Sequence, residues 1–208
     1  VRVVVVRGEG SSFSAGLDRR MFTPEGVPGE GSLSDVTSSS DEQAAETIAS
    51  YQAGFRWLRN PDIVSIAAVQ GHAVGAGFQL ALACDLRVAA DDAQFTMAEP
   101  ALGLVPDLGG TLPLIEAIGY SRALEICATA RRVGAAEADR IGLVNVVVPG
   151  DQLAAATDDL VAALLGSHPA AVAATKRLLL GAVGRGYDAQ LAAEGTAQVR
   201  RLRELTGA

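Results

Sequence analysis

The stretch from Ile63 to Cys84 constrains the fold more than any other. An apolar strand-like run, Ile63 to Gln70, ends in the small-residue turn Gly71-His72-Ala73-Val74-Gly75-Ala76-Gly77, and the turn feeds an apolar helical segment, Phe78 to Cys84. Strand, turn and helix in that order belong to an α/β layer architecture. A second small-residue turn, Phe13-Ser14-Ala15-Gly16-Leu17-Asp18, follows the β-branched run Val1 to Arg7. Turns built from Gly and Ala let a ligand approach bare backbone N–H groups. Two such groups converging on one point form an oxyanion trap. The first N–H groups of a helix have no internal partner, and its dipole adds positive charge there, so the helix start near Ala76 suits that role.

Rival readings of the glycine turn fail on particular residues. A dinucleotide fingerprint at Gly75-Ala76-Gly77-Phe78-Gln79-Leu80 would need a small residue where Leu80 stands. No Gly-Lys-Ser/Thr phosphate loop and no Gly-x-Ser-x-Gly nucleophile elbow occurs. A net charge of −7 argues against nucleic acid and against an anionic membrane surface as partners. No apolar run reaches membrane-spanning length, and no signal peptide is seen. Cys84 and Cys127 have neither metal-ligand nor disulfide spacing, so free thiols, no metal and a cytoplasmic location are expected. The chain opens on Val1 in mid-strand without Met, which leads us to expect truncated termini.

Along the chain, Thr23 to Ser40 is rich in Gly, Pro and Ser and predicts a mobile surface loop. Ser40-Asp41-Glu42-Gln43 reads as a capping box. The helix it starts would carry Ala44, Ile48, Tyr51, Phe55 and Leu58 on one face and end at Asn60-Pro61. Short strands are expected at Leu86–Ala89, Phe95–Glu99 and Leu143–Val148, with helices to Gly119, over Ser121–Ala130 and from Asp151 onward. At 208 residues this makes an α/β core over residues 1–120 and a mostly helical region over 121–208.

Taken together, these motifs resemble the crotonase superfamily, the enoyl-CoA hydratases and isomerases. The matching segments are the two turns, Cys84-Asp85, Phe95-Thr96-Met97-Ala98-Glu99, Gly103-Leu104-Val105-Pro106-Asp107-Leu108-Gly109-Gly110-Thr111, Ala136 to Val144 and Pro169 to Lys176. The resemblance implies a ββα spiral core, a C-terminal helical trimerisation region and a homotrimer or dimer of trimers. It implies an acyl-CoA thioester as substrate, its coenzyme A being part of that substrate and no separate cofactor being needed. Its oxyanion hole would be the N–H groups of Ala15 and Ala76, flanked by Gly75 and Gly77. Ser14, Leu17, Asp18 and Lys176 would contact the coenzyme A portion.

The chemistry turns on three positions. Hydration in this family looks like the work of two glutamates gripping one water. Glu99 keeps the second of these, but Gln79 stands at the first, and an amide cannot accept and return a proton. Asp107, eight residues after Glu99, supplies a carboxylate where hydratases resembling this chain usually carry Gly. Moving a double bond requires a proton taken from one carbon and returned at another. Glu99 and Asp107 would serve that task, with Met97, Ala98, Leu102, Leu104 and Val105 desolvating them. The leading expectation is therefore an acyl-CoA isomerase. The alternatives are a hydratase in which Gln79 positions water, and a non-catalytic acyl-CoA binder.

Overall fold

Four strands rich in Val, Ile and Ala pair side by side in one parallel sheet: β1 (Val3–Arg7), β2 (Val64–Val69), β4 (Leu86–Ala90) and β7 (Val146–Val148), in the order β1-β2-β4-β7. The computed structural model describes residues 1–29 and 32–207. Every residue of β2 is buried, as expected of a parallel strand covered on both faces. Alternation divides the strand. Ala67 and Val69 face a cluster with Phe78 and Leu82, whereas Ile66 and Ala68 face Leu153 on the other side. The first cluster is capped by α3 (Ala76–Ala83) and the second by α7 (Leu153–Gly166).

A smaller sheet continues from the first. Gly71 (φ +54°) turns the chain out of β2 into β3 (His72–Val74), which pairs with β5 (Gln94–Thr96), itself antiparallel to β6 (Val133–Gly134). A Cβ at Gly71 would fall 2.2 Å from the Ser11 carbonyl oxygen, so only glycine fits this kink. The unit of strand, kink, short strand and helix is β2–β3–α3, and it recurs as β4–β5 followed by α4 (Thr111–Ile118). This is the expected ββα spiral. Ser14 extends the small sheet by a parallel bridge to Ala73, which carries the first glycine turn to the second.

Three expectations are corrected here. The core does not close at residue 120: β6 and β7 return to the two sheets, and Ile126, Ala138, Leu143 and Val144 lie in the main cluster. Between them come α5 (Tyr120–Thr129) and α6 (Ala135–Arg140), while α8 (Pro169–Ala182) and α9 (Tyr187–Thr206) form the helical end. The expected loop from Thr23 contains a short helix, α1 (Leu33–Ser38), opened by a Ser32–Asp35 capping box; residues 30 and 31 of that loop lie outside the described residues. The Ser40–Gln43 capping box does start a helix, α2 (Asp41–Arg56), but no residue of α2 is buried, and its apolar stripe meets the core only through Phe55 and the following Leu58. Finally, the expected strand to Glu99 stops at Thr96, and Glu99–Leu102 forms a 3₁₀ turn, with Pro100 at a position where its missing N–H costs nothing. No described helix is long and apolar enough to cross a membrane, and no described group of His, Cys, Asp and Glu side chains could hold a metal ion.

Candidate active site

The two glycine turns interlock. A Cβ on Gly77 would lie 2.6 Å from the Ser14 Cβ and carbonyl oxygen, and one on Gly16 would lie 2.7 Å from the Val74 carbonyl and 3.8 Å from the Ala76 nitrogen. Only hydrogen at these positions lets the backbones touch. The contact is held by hydrogen bonds from Ser14 N to His72 O (2.9 Å) and from Val74 N to Ser14 O (3.0 Å). Ala15 and Ala76 therefore sit on neighbouring backbones. Among the described residues, neither of their N–H groups has a hydrogen-bond partner. Ala76 is the first residue of α3, so its N–H is one of the helix's unpaired donors.

Gly75 joins this turn to the candidate base. Its N–H donates to Thr96 O at 2.8 Å, which ties the turn to the end of β5 three residues before Glu99. With φ +53° it adopts a conformation that favours glycine, and a Cβ there would meet Glu99 Oε1 at 3.3 Å. The Glu99 carboxylate thus lies against the start of α3. Glu99 is buried; its Oε1 accepts a 2.7 Å hydrogen bond from Gln79 Nε2, and its Oε2 is enclosed without a partner among the described residues. A buried polar atom left unpaired costs about 1–3 kcal/mol, and more when charged, so such an atom calls for a functional explanation.

Gln79 is fully buried and points the other way with its carbonyl. Oε1 accepts from Leu108 N (2.8 Å) and from Gly110 N (3.3 Å). Asp107, immediately before Leu108, is half-buried, its own carbonyl accepting from Gln52 Nε2 of α2 at 2.7 Å. Its carboxylate makes no hydrogen bond or ion pair among the described residues, and no bond joins it to Glu99. Of the side chains expected to desolvate the pair, Met97 is buried, but Leu102, Leu104 and Val105 are exposed in the single chain.

The expected coenzyme A contacts fare differently. Leu17 is exposed beside the turn. Ser14 instead uses its hydroxyl within the turn, accepting from Gly16 N at 3.3 Å. Asp18 caps the short turn Arg19–Phe22 and pairs with Arg20, whose hydrogen bonds hold the Asp18 carboxyl down to about 2. Lys176 lies on no solvated face: it is buried, and its ammonium donates to Asp85 Oδ2 (2.6 Å), Ile63 O (2.9 Å) and Leu58 O (3.4 Å). That internal pair sits past the C-terminal end of α3. A helix of eight residues spans about 12 Å, so Lys176 stands a helix length away from Ala76. A groove of about 680 Å³ opens at that far end, between α4 and α8, lined by Cys84, Asp85, Glu116, Lys176 and Leu179; it does not include Glu99.

Sequence reading missed the two clamps on this site. Gln79 to Leu108 and Gln52 to Asp107 span 29 and 55 residues, and no local pattern marks them.

Known proteins resemble this chain over nearly its whole length. A family model described as enoyl-CoA hydratase/isomerase matches residues 1–204. A probable enoyl-CoA hydratase of Mycobacterium tuberculosis is 35% identical over 202 residues, which cover 97% of this chain and 70% of that protein. The carnitinyl-CoA dehydratase of Escherichia coli is 38% identical over 179 residues, covering 86% of this chain; the chain spans 63% of that protein's length. Among solved structures, a candidate enoyl-CoA hydratase of Thermobifida fusca in complex with CoA is 53% identical, with a TM-score of 0.95 over 100% of this chain and 79% of its own. The interlocked glycine turns, the buried glutamate against them and these matches together place the chain in the enoyl-CoA hydratase/isomerase family, the crotonase superfamily.

Proposed function

We propose that this chain acts on an acyl-CoA thioester and shifts a double bond along its acyl chain. The observation that carries the reading is the enclosed, unpartnered Glu99 Oε2 beside the start of α3. A thioester oxygen received by the Ala15 and Ala76 N–H groups would bring the neighbouring carbon to that oxygen. Glu99 removes a proton from this carbon, and the electron pair moves into the carbonyl, whose oxygen becomes the enolate oxygen. Preorganised N–H donors stabilise such charge most as it develops. Asp107 delivers a proton at a carbon farther along the chain and is reprotonated from solvent while Glu99 releases its own to solvent, so the double bond has moved with no net gain or loss of atoms. Thermobifida fusca relatives solved with CoA and with acetoacetyl-CoA support a thioester ligand. The exposed Leu102, Leu112 and Leu124 support burial against another copy of the chain; the homotrimer or dimer of trimers that the family resemblance implies is checked by sedimentation of the purified protein.

A second reading, addition or removal of water, is favoured by the names of the hydratase and dehydratase relatives. Against it stands Gln79, which is fully buried and has its carbonyl committed to two backbone N–H groups. It offers a water neither a carboxylate nor a free acceptor. The test is a panel of 2-enoyl-, 3-enoyl- and 3,5-dienoyl-CoA thioesters incubated in deuterated water and followed by mass spectrometry. Positional isomers carrying deuterium but no added water support the proposal; a hydrated product overturns it in favour of the second reading. Asp107→Asn separates the two acids: exchange next to the thioester persists, while formation of the shifted isomer falls by about 100-fold or more, the usual worth of a general acid or base.

A further inference from the structure

We infer that Gln79 is a positioning residue that makes Glu99 a one-oxygen base and fixes the Asp107 turn to it. This rests on the reading of Glu99 as the proton-transfer group.

The orientation of the Gln79 amide is dictated by its partners. Leu108 N–H and Gly110 N–H are both donors, so the atom facing them must be the carbonyl oxygen. The amide nitrogen then faces Glu99 Oε1 and can only donate. Oε1 is thereby occupied, and any proton taken up by Glu99 goes to Oε2, the oxygen without a partner. The same side chain sets the turn. A Cβ on Gly110 would meet the Gln79 Cγ at 2.8 Å, so the 108–110 backbone sits directly on the glutamine. Gln52 holds the Asp107 carbonyl from the side of α2. Asp107 is one residue from the clamp, and its distance to the reacting carbons is set by it.

The substitution Gln79→Glu tests the role sharply. The introduced carboxyl would satisfy Leu108 N and Gly110 N as well as the glutamine does, but it would present an oxygen to Glu99 Oε1 at the 2.7 Å now spanned by an N–H bond. Two carboxylates so close share one proton. With that proton in place the introduced carboxyl donates to Glu99 and mimics glutamine; once it leaves, the direct bond is gone and the two carboxylates part to hold a water between them, so the Glu99 geometry set by the amide is lost. The other titratable groups around the cluster are Asp107 and Cys127 of α5, whose thiol is pushed up by burial and by the charge of Glu99. Both are present in wild type and variant, so the comparison between the two isolates the shared proton.

The experiment compares wild type, Gln79→Glu and Gln79→Leu by two readouts. The first is the ¹³C NMR titration of labelled glutamate carboxyls in the unliganded protein, with Glu99→Gln assigning the signal. The second is the pH profile of deuterium exchange next to the thioester. Gln79→Glu should give two coupled carboxyl steps and an alkaline fall in exchange that wild type lacks, with near-wild-type rates below it. Gln79→Leu, which frees both acids, should lower kcat about 100-fold, the usual cost of a misplaced catalytic group, with KM little changed. Independent single titrations in Gln79→Glu, or a profile parallel to wild type, would overturn the inference. So would unchanged kcat in Gln79→Leu. If wild type exchanges no proton of any thioester, the proposed function fails, and the NMR titration still decides the coupling.

Discussion

Among the described residues, every buried side-chain nitrogen and oxygen at the C-terminal end of α3 is answered, and at its N-terminal end one is not. Beyond Ala83, Asp85 Oδ2 takes hydrogen bonds from Ser65 N, Ser65 Oγ and Lys176 Nζ, and the buried Arg87 donates to the carbonyls of Ala81, Cys84 and Leu143. The Arg87 bonds to Ala81 and Cys84 cap carbonyls at the end of the helix, which otherwise lack partners. At the other end, Glu99 has one oxygen held and one enclosed without a partner. Both clusters are largely enclosed and carry a carboxyl group, and burial alone does not tell them apart. Satisfaction does: a closed network stabilises a fold, whereas a charged oxygen left unpaired in the interior waits for something the chain does not supply.

The comparison breaks most decisively at Glu99. Glu99→Gln should lower exchange next to the thioester by a factor of about 10²–10⁴, while the thermal midpoint stays equal or rises because a buried unpaired charge is gone. A loss of stability together with activity would mean that Glu99 is structural like Asp85. Lys176→Met should do the reverse. It strands Asp85 with only Ser65 to answer it, and removing one partner of a buried pair costs about 3 kcal/mol or more. Denaturant unfolding should show that loss, and KM for acyl-CoA thioesters should stay as it was. A raised KM with unchanged stability would restore Lys176 as a coenzyme A contact.

How far each end could be read beforehand follows from how local its signals are. The turns at Ala15 and Ala76 are legible because a few neighbouring small residues encode them, and the Ser40 cap because its partner Gln43 is three residues away. The pairing of Lys176 with Asp85 spans 91 residues, and nothing near either residue announces it. A lone lysine on a late helix therefore reads as a phosphate contact. The reach of the core past residue 120 is hidden for another reason. β6 is only two residues long, too short to show a period, and is a strand because β5 is there to receive it; β7 lies within the strand expected over Leu143–Val148, but nothing local says that it returns to β4. At Glu99, the apolar run from Phe95 suggests a strand, but Pro100 turns the chain, and that turn brings the carboxylate back against Gly75.

A smaller effect sharpens the satisfied end. Burial pushes the Cys84 thiol up to about 12 from an ordinary value near 9. The folded state therefore retains this proton between those two values while the unfolded chain gives it up, so stability is whole below about pH 9 and declines from there toward pH 12. Cys84→Ala should flatten that part of the curve of unfolding free energy against pH when measured beside wild type. An unchanged slope would mean that the thiol is open to solvent.

The smallest expected effect lies on the hinge between the site and α2. The Gln52 bond to the Asp107 carbonyl is exposed, and such a bond is worth about 1 kcal/mol. Gln52→Ala should leave proton exchange by Glu99 untouched, because Gln79 still holds the Leu108 and Gly110 amides. Isomer formation should fall by about fivefold, since only the Asp107 step feels the slack. The ratio of exchange to isomerisation thus reads the second clamp separately from the first. A parallel fall in both rates would mean that α2 positions the whole site, and that the division between a rigid base and a tethered acid is wrong.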